Sequence, residues 1–230
     1  MKNILTRGGI EFFAVLLGIS GSLYIDEIRD EASINTQIND SFHSLKSELQ
    51  SNVDELTTFD KRIEKNMYYF EIAMNPDTMK YLTEKELDKM NIITTTNWGN
   101  KMNARVFNSM EATGLIYKIK NDSLRSSIIE LFNKKYEKYH YLLDYDLTHI
   151  QKWDDISLTN FIYRDDPEYY FWGLDWENEE NIKQYRENVI HRNYLIANRA
   201  NKRLIKANLN SMIKETNRVI DEISYYIDKQ

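Results

Sequence analysis

The sequence predicts an all-α protein: an N-terminal transmembrane helix followed by an extended antiparallel bundle of three long helices plus short helices. Three observations carry that expectation. Only 7 Gly and 2 Pro stand among 230 residues, too few turn and edge residues for an all-β chain. Charged residues make up 29% of the chain, which suits long solvated helix faces. Apolar residues recur in alternating three- and four-residue steps over most of the length, the period of a buried helical stripe.

The first element is residues 8–25, Gly-Gly-Ile-Glu-Phe-Phe-Ala-Val-Leu-Leu-Gly-Ile-Ser-Gly-Ser-Leu-Tyr-Ile, an apolar run with one charged side chain. Its length barely reaches what a helix needs to cross a bilayer. Lys2 and Arg7 precede it, Asp26, Glu27, Asp30 and Glu31 follow it, and Tyr24 sits at an interfacial position. The positive-inside bias keeps the N-terminus in the cytoplasm and exports the body. The competing readings are a cleaved signal peptide, with Ser20 and Ser22 as small residues near a cleavage point, and a buried core helix. Ala14, Gly18 and Ser22 recur every four residues and form a small-residue stripe for a second membrane helix to approach. Glu11 borders the stripe. Its choices are a basic residue on a partner helix, or Arg7 one turn earlier with both side chains snorkelling to water.

No helix breaker follows until Pro76, and Ile38, Phe42, Leu45, Leu49, Leu56, Phe59, Ile63 and Phe70 form a coiled-coil-like seam interrupted by Asn52 and Asn66. Those two asparagines either specify register between chains or mark where the seam meets solvent. Asn75-Pro76-Asp77 ends the helix. Thr83 and Glu86 make a capping box for a short helix. The stretch 94–100 reads as a loop, and a helix over 102–113 stops at Gly114. Asn121 or Asp122 caps the next long helix, whose apolar face runs from Leu124 through Leu143 and on toward Phe161. A loop follows, holding the aromatic cluster Tyr169, Tyr170, Phe171, Trp172 and Trp176. Such rings either bind peptide, glycan or lipid headgroups or plug the end of a bundle. The last helix is expected from about Asn178 nearly to Gln230.

At 27.5 kDa the chain can bury a real core, and one domain is the simpler organisation. The expected division is a cytoplasmic N-terminus over 1–7, the transmembrane helix over 8–25 and a soluble helical domain over 26–230. A net charge of −6 argues against a nucleic-acid partner. The absence of Cys excludes disulfides, thiolate catalysis and Cys-ligated metals but leaves the compartment open.

Chemistry-bearing motifs are sparse. Glu137 and His140 share the Glu-x-x-His spacing of di-iron bundles, which need a second copy. Glu187 and His191 are four apart and Asp146 with His149 substitutes Asp for Glu, so the expectation is no metal, no cofactor and no catalytic residue. Neither a phosphate-cradling glycine loop nor a Gly-x-Ser-x-Gly elbow is present. Arg192, Arg199, Lys202, Arg203 and Lys206 form a basic stretch expected to pair with the acidic first helix.

The span holding Glu11 and Gly18-Ile19, the element Ser109-Met110-Glu111-Ala112-Thr113-Gly114-Leu115 and the following Asn121-Asp122-Ser123-Leu124-Arg125 resemble an uncharacterised family of short bacterial single-pass membrane proteins over residues 8–140. Asp26-Glu27-Ile28 departs from the family's Asn-rich stretch with a Trp. The resemblance implies an anchor and a helical body in the bacterial inner membrane and supplies no activity. The leading functional expectation is a non-enzymatic accessory or scaffold subunit of a cell-envelope complex, partnered by the lipid bilayer and by other membrane proteins or itself as a homo-oligomer. The runner-up is a periplasmic ligand-sensing bundle.

Overall fold

The computed structural model describes residues 2–96, 99–164 and 173–229, leaving out the side chains of 2–11, 13, 14 and 76. These residues are all-α apart from an isolated antiparallel bridge between Tyr163 and Leu174. Helix α1 (Lys2–Ala73) is unbroken over 72 residues, about 110 Å at 1.5 Å per residue. A single turn α2 (Pro76–Met79) and helices α3 (Glu84–Thr95) and α4 (Arg105–Ala112) follow, then a 3₁₀ turn (Leu115–Lys118). The next long rod is α5 (Asp122–Glu130), a π-helical stretch (Leu131–Tyr136) and α6 (Glu137–Asn160). Helices α7 (Glu179–Glu187) and α8 (Val189–Ile227) end the fold.

Cross-contacts give the direction of each rod. Phe42 meets Tyr226 and Glu71 meets Arg199, so α1 and α8 are antiparallel. Tyr136 meets Thr216 and Asn160 meets Asn188, so α6 and α8 are antiparallel as well. It follows that α1 and α6 run the same way, and the chain between them must return. Residues 76–121 make that return. Thr94 lies by Asn198 at the far end, Asn103 by Asn52 midway and Lys120 by Glu31 at the near end. The expected bundle of three long helices is therefore an up-down-up-down arrangement whose second member is broken into short pieces.

Local chemistry explains the breaks. Thr83 and Glu86 form the capping box of α3. Its last turn includes Thr94 and Thr95, which the sequence assigned to the loop over 94–100; their hydroxyls donate back to the carbonyls of Met90 and Asn91. Gly114 adopts φ 71°, a left-handed geometry that ends α4 and suits glycine. Asn121 accepts from Leu124 N at 3.1 Å, and Asp122 pairs with Arg125 at 2.7 Å. The expected single C-terminal helix is divided at Asn188, whose side chain accepts from the amides of Ile190 and His191 and so starts α8.

Two apolar clusters share the bundle. The near cluster joins Ile38, Phe42, Leu45, Leu49, Leu56 and Ile63 to the 3₁₀ turn, the π-helical stretch and the second half of α8, with Phe107 and Phe132 stacked at 4.4 Å. The far cluster joins Ile72, Met79 and Met90 to Trp153, Phe161, Trp176, Tyr185 and Tyr194. Packing begins only near Ile34: every side chain from Val15 to Ser33 is exposed. Among the described residues no helix is long and apolar enough to cross a membrane.

Candidate functional site

Over residues 99–106 the bundle grips a non-helical stretch, 99–104, and the start of α4 from both sides. Asn52 interrupts the apolar seam of α1 and is 2% exposed. Its Oδ1 accepts from Asn103 N at 3.0 Å, while its Nδ2 donates to Asn103 O at 2.8 Å and to Tyr136 Oη at 3.4 Å. Tyr136 is in turn 3.2 Å from the Thr216 hydroxyl on α8. Burial pushes the Tyr136 phenol up to about 12, against the opposing bonds from Thr216 and Asn52. This network lies within the chain and accounts for Asn52 as a clamp on the return segment.

The opposite side is held by His140, whose Nε2 accepts from Met102 N at 2.8 Å. That bond requires the unprotonated nitrogen, and burial followed by the nearby Lys101 charge lowers the imidazole pKa. Glu48 closes the grip: its carboxylate accepts from Val106 N at 3.1 Å and 3.3 Å, placing negative charge at the start of α4. Gly99 lets the strand lie close, since a Cβ there would fall 2.4 Å from Leu143 Cδ2 and 3.0 Å from Phe59 Cε1.

Clefts flank the gripped stretch, two of them on opposite sides of Met102. One of about 310 Å³ opens toward α1 between Asp54, Glu55, Phe59, Asn100, Met102 and Tyr139. The other, about 600 Å³, opens toward α6 between Lys101, Asn103, Phe107, Tyr136, Glu137 and His140.

The sequence-derived candidates are distributed elsewhere. Glu11 and Ala14 lie outside the described side chains. Gly18 and Ser22 sit exposed on the projecting part of α1, with nothing within 4 Å of a Cβ placed at Gly18. Tyr169, Tyr170, Phe171 and Trp172 lie outside the described residues. Trp176 is 5% exposed and donates from Nε1 to Asp88 at 2.7 Å, beside the Arg164–Asp88 ion pair at 2.6 Å. It is a core residue of the far cluster rather than an exposed platform.

The motif residues have structural partners. Asp146 is buried against Lys202, which also donates to Thr96 O, and accepts from Asn201. Desolvation pulls the Lys202 ammonium down from its ordinary pKa while Asp146 opposes that shift. Of the basic stretch, Arg199 and Arg203 pair with Glu71 and Lys206 with Glu64 on α1, as expected, but Lys202 faces α6. His191 is fully buried among Trp153, Phe161, Tyr185 and Tyr194, and neither ring nitrogen finds a partner. His149 bonds only its own helix, at Tyr145 O. Among the described residues no group of three His, Cys, Asp or Glu is placed to hold a metal ion.

Sequence reasoning treated Tyr139 as one more apolar-face position and passed over Asp54, Glu55 and Asn100. The available signals were Asn52 within the seam and Gly99 in the turn-rich stretch. No protein-family model, curated protein or solved structure matches the chain.

Proposed function

We propose that the chain is a membrane-anchored, non-enzymatic accessory or scaffold subunit of a bacterial cell-envelope complex that also associates with itself. The observation that carries this reading is the projecting part of α1. The helix leaves the bundle near Ile34 and continues unbroken to Lys2, about 50 Å of rod. On it Phe12, Val15, Leu16, Leu17, Ile19, Leu23, Tyr24, Ile25 and Ile28 are 45–70% exposed. Exposed apolar side chains gathered along 12–28 are a liability in water, and hydrocarbon is the environment that suits them. Residues 8–25 span about 27 Å against a hydrocarbon core of about 30 Å, and the bias of Lys2 and Arg7 before the acidic 26–31 stretch directs the bundle away from the cytoplasm.

A subunit role fits the small-residue stripe in the span and the way potential catalytic groups are used. His140 accepts a backbone amide, His191 is sealed among rings and Asp146 is neutralised by Lys202. A ligand-sensing bundle is the second reading, favoured by the clefts beside residues 99–106.

Tagged protein extracted from its native membrane in mild detergent, analysed by size exclusion with light scattering and by protein identification, tests the proposal. Membrane recovery with stoichiometric partners or a defined homo-oligomer is expected. Recovery in the aqueous fraction as a lone monomer overturns it.

A further inference from the structure

The grip on residues 99–106 contains a bond that one proton undoes. His140 Nε2 accepts from Met102 N at 2.8 Å. An imidazolium carries a hydrogen on both nitrogens, so protonation would set two donors against each other at that place. Carboxylates stand one turn to either side of the ring on α6, Glu137 at i−3 and Asp144 at i+4, both exposed. Asp144 is paired with Lys101 at 3.0 Å, and both side chains of that pair are more than half exposed, so it is easily exchanged. An imidazolium that takes Asp144 therefore removes two holds on the stretch, the backbone bond at Met102 and the ion pair at Lys101. The next hold is indifferent to pH: the Asn52 amide brackets Asn103 at 3.0 Å and 2.8 Å and gives a released stretch a fixed end.

We propose that residues 99–102 are an acid-released latch: protonated His140 lets go of Met102 and turns to Glu137 and Asp144, and the stretch swings away about Asn103. The charges around the imidazole are Lys101 on the stretch, Arg105 at the start of α4, and Glu137 and Asp144 on its own helix. On α1, Glu48 is bonded to Val106 N, and Asn52 reaches this layer uncharged, as does Thr216 from α8; both bond Tyr136, whose ring is 6.5 Å from the imidazole. Burial holds the flanking phenols, Tyr136 and Tyr139, above the ordinary phenol range. With the latch shut, burial first and then Lys101 lower the His140 pKa, against Asp144 and Glu137. The latch is thus fully stabilised above pH 6.5 and loses that stabilisation as pH falls below it. Met102 packs in the near cluster with Phe59, Tyr139 and Leu143, so its departure uncovers apolar surface while the long helices stay in place. Exposure of the latch to acid surroundings rests on the exported placement proposed above.

The test is hydrogen exchange of the full chain in detergent between pH 7.5 and 5.5, each rate divided by the intrinsic chemical rate at that pH. Protection of the Met102 amide should fall about three- to tenfold, the ceiling being set by an imidazole of ordinary pKa 6.5 in the open stretch. Protection over 38–63 of α1 should hold. His140→Gln, whose side-chain oxygen can accept the same amide without titrating, should keep Met102 protection level with pH. Asp144→Asn, which retains the imidazole and removes a receiving carboxylate, should move the fall to lower pH. Constant Met102 protection in the wild type, an equal loss over 38–63, an equal loss in His140→Gln, or an unmoved fall in Asp144→Asn overturns the latch. The wild-type and Asp144→Asn arms decide it even if His140→Gln does not fold. The readout does not depend on membrane insertion, so its failure is separable from failure of the anchor.

Discussion

The near and far halves of the bundle solve the same packing problem with different interiors. In the near half, aliphatic side chains and stacked phenylalanines meet around a few buried polar groups, the Asn52–Tyr136–Thr216 chain with Glu48 and Ser127. The far half buries Asp88, Asn91, Thr94, Asp146, Asn181, His191, Asn198, Asn201 and Lys202. The same device appears in each. Asn52 brackets the backbone of Asn103, and Asn181 brackets that of Ile162, accepting at 2.7 Å and donating at 2.6 Å. What differs is the setting: the near clamp is a local repair in an apolar seam, whereas the far clamp belongs to a polar interior held by many specific bonds. The far half should therefore be the more sensitive to single polar substitutions and to acid.

Removing one member of the buried ion pair gives the largest expected effect. Asp146→Ala leaves Lys202 charged and enclosed, and should destabilise the far half by about 3–5 kcal/mol in denaturant unfolding. Replacing both with apolar residues should recover most of that loss. If the single and double variants melt alike, the pair is not the organising interaction of that region. In the near half, Asn52→Ala removes both bonds to Asn103 and should cost about 2–3 kcal/mol. Faster proteolysis within 99–106 than elsewhere would localise the damage.

Acid sharpens the contrast. Burial lowers the His191 pKa to about 3 from an ordinary 6.5. Below 6.5 the unfolded chain takes up a proton that the folded chain refuses, so stability is lost as pH falls from 6.5 toward 3. The slope from this group approaches about 1.4 kcal/mol per pH unit. His191→Leu should flatten the melting-temperature profile between pH 6.5 and 5. An unchanged profile would show that the ring does not resist protonation. Two smaller effects probe the returning segment: Gly114→Ala, against a φ of 71°, should cost about 1 kcal/mol, and Thr83→Ala about 1 kcal/mol or less through the lost cap. Both are measurable as shifts in thermal unfolding.

The two halves also differ in how openly the sequence declares them. Ile38 through Ile63 were legible because each buried position is apolar and the spacing is helical. Thr83, Gly114 and Asn121 were legible because caps and left-handed turns need particular side chains. In the far half, buried positions are filled by Lys202, Asp146, Asn198 and His191, residue types whose usual place is the surface. Hydrophobic periodicity gives no sign of them. The reversal of direction over 76–121 was equally hidden, since it rests on bonds between residues far apart in sequence, such as Asn52 and Asn103. The Tyr139 cleft follows the same rule: its neighbours come from α1, the gripped strand and α6, and no local pattern brings them together.

The π-helical stretch Leu131–Tyr136 has a consequence for how the chain tolerates length change. Leu124, Ile128, Phe132 and Tyr136 are all buried at intervals of four, and in an α-helix each such step would drift about 40° around the axis. The wider turn absorbs that drift and hands the stripe on to Tyr139, Leu142 and Leu143. Loss of one residue at exposed Asn133 or Lys134 can be taken up by tightening this turn to ordinary α-geometry. The same loss in the middle of α8 has no such slack and would rotate every later side chain off the core.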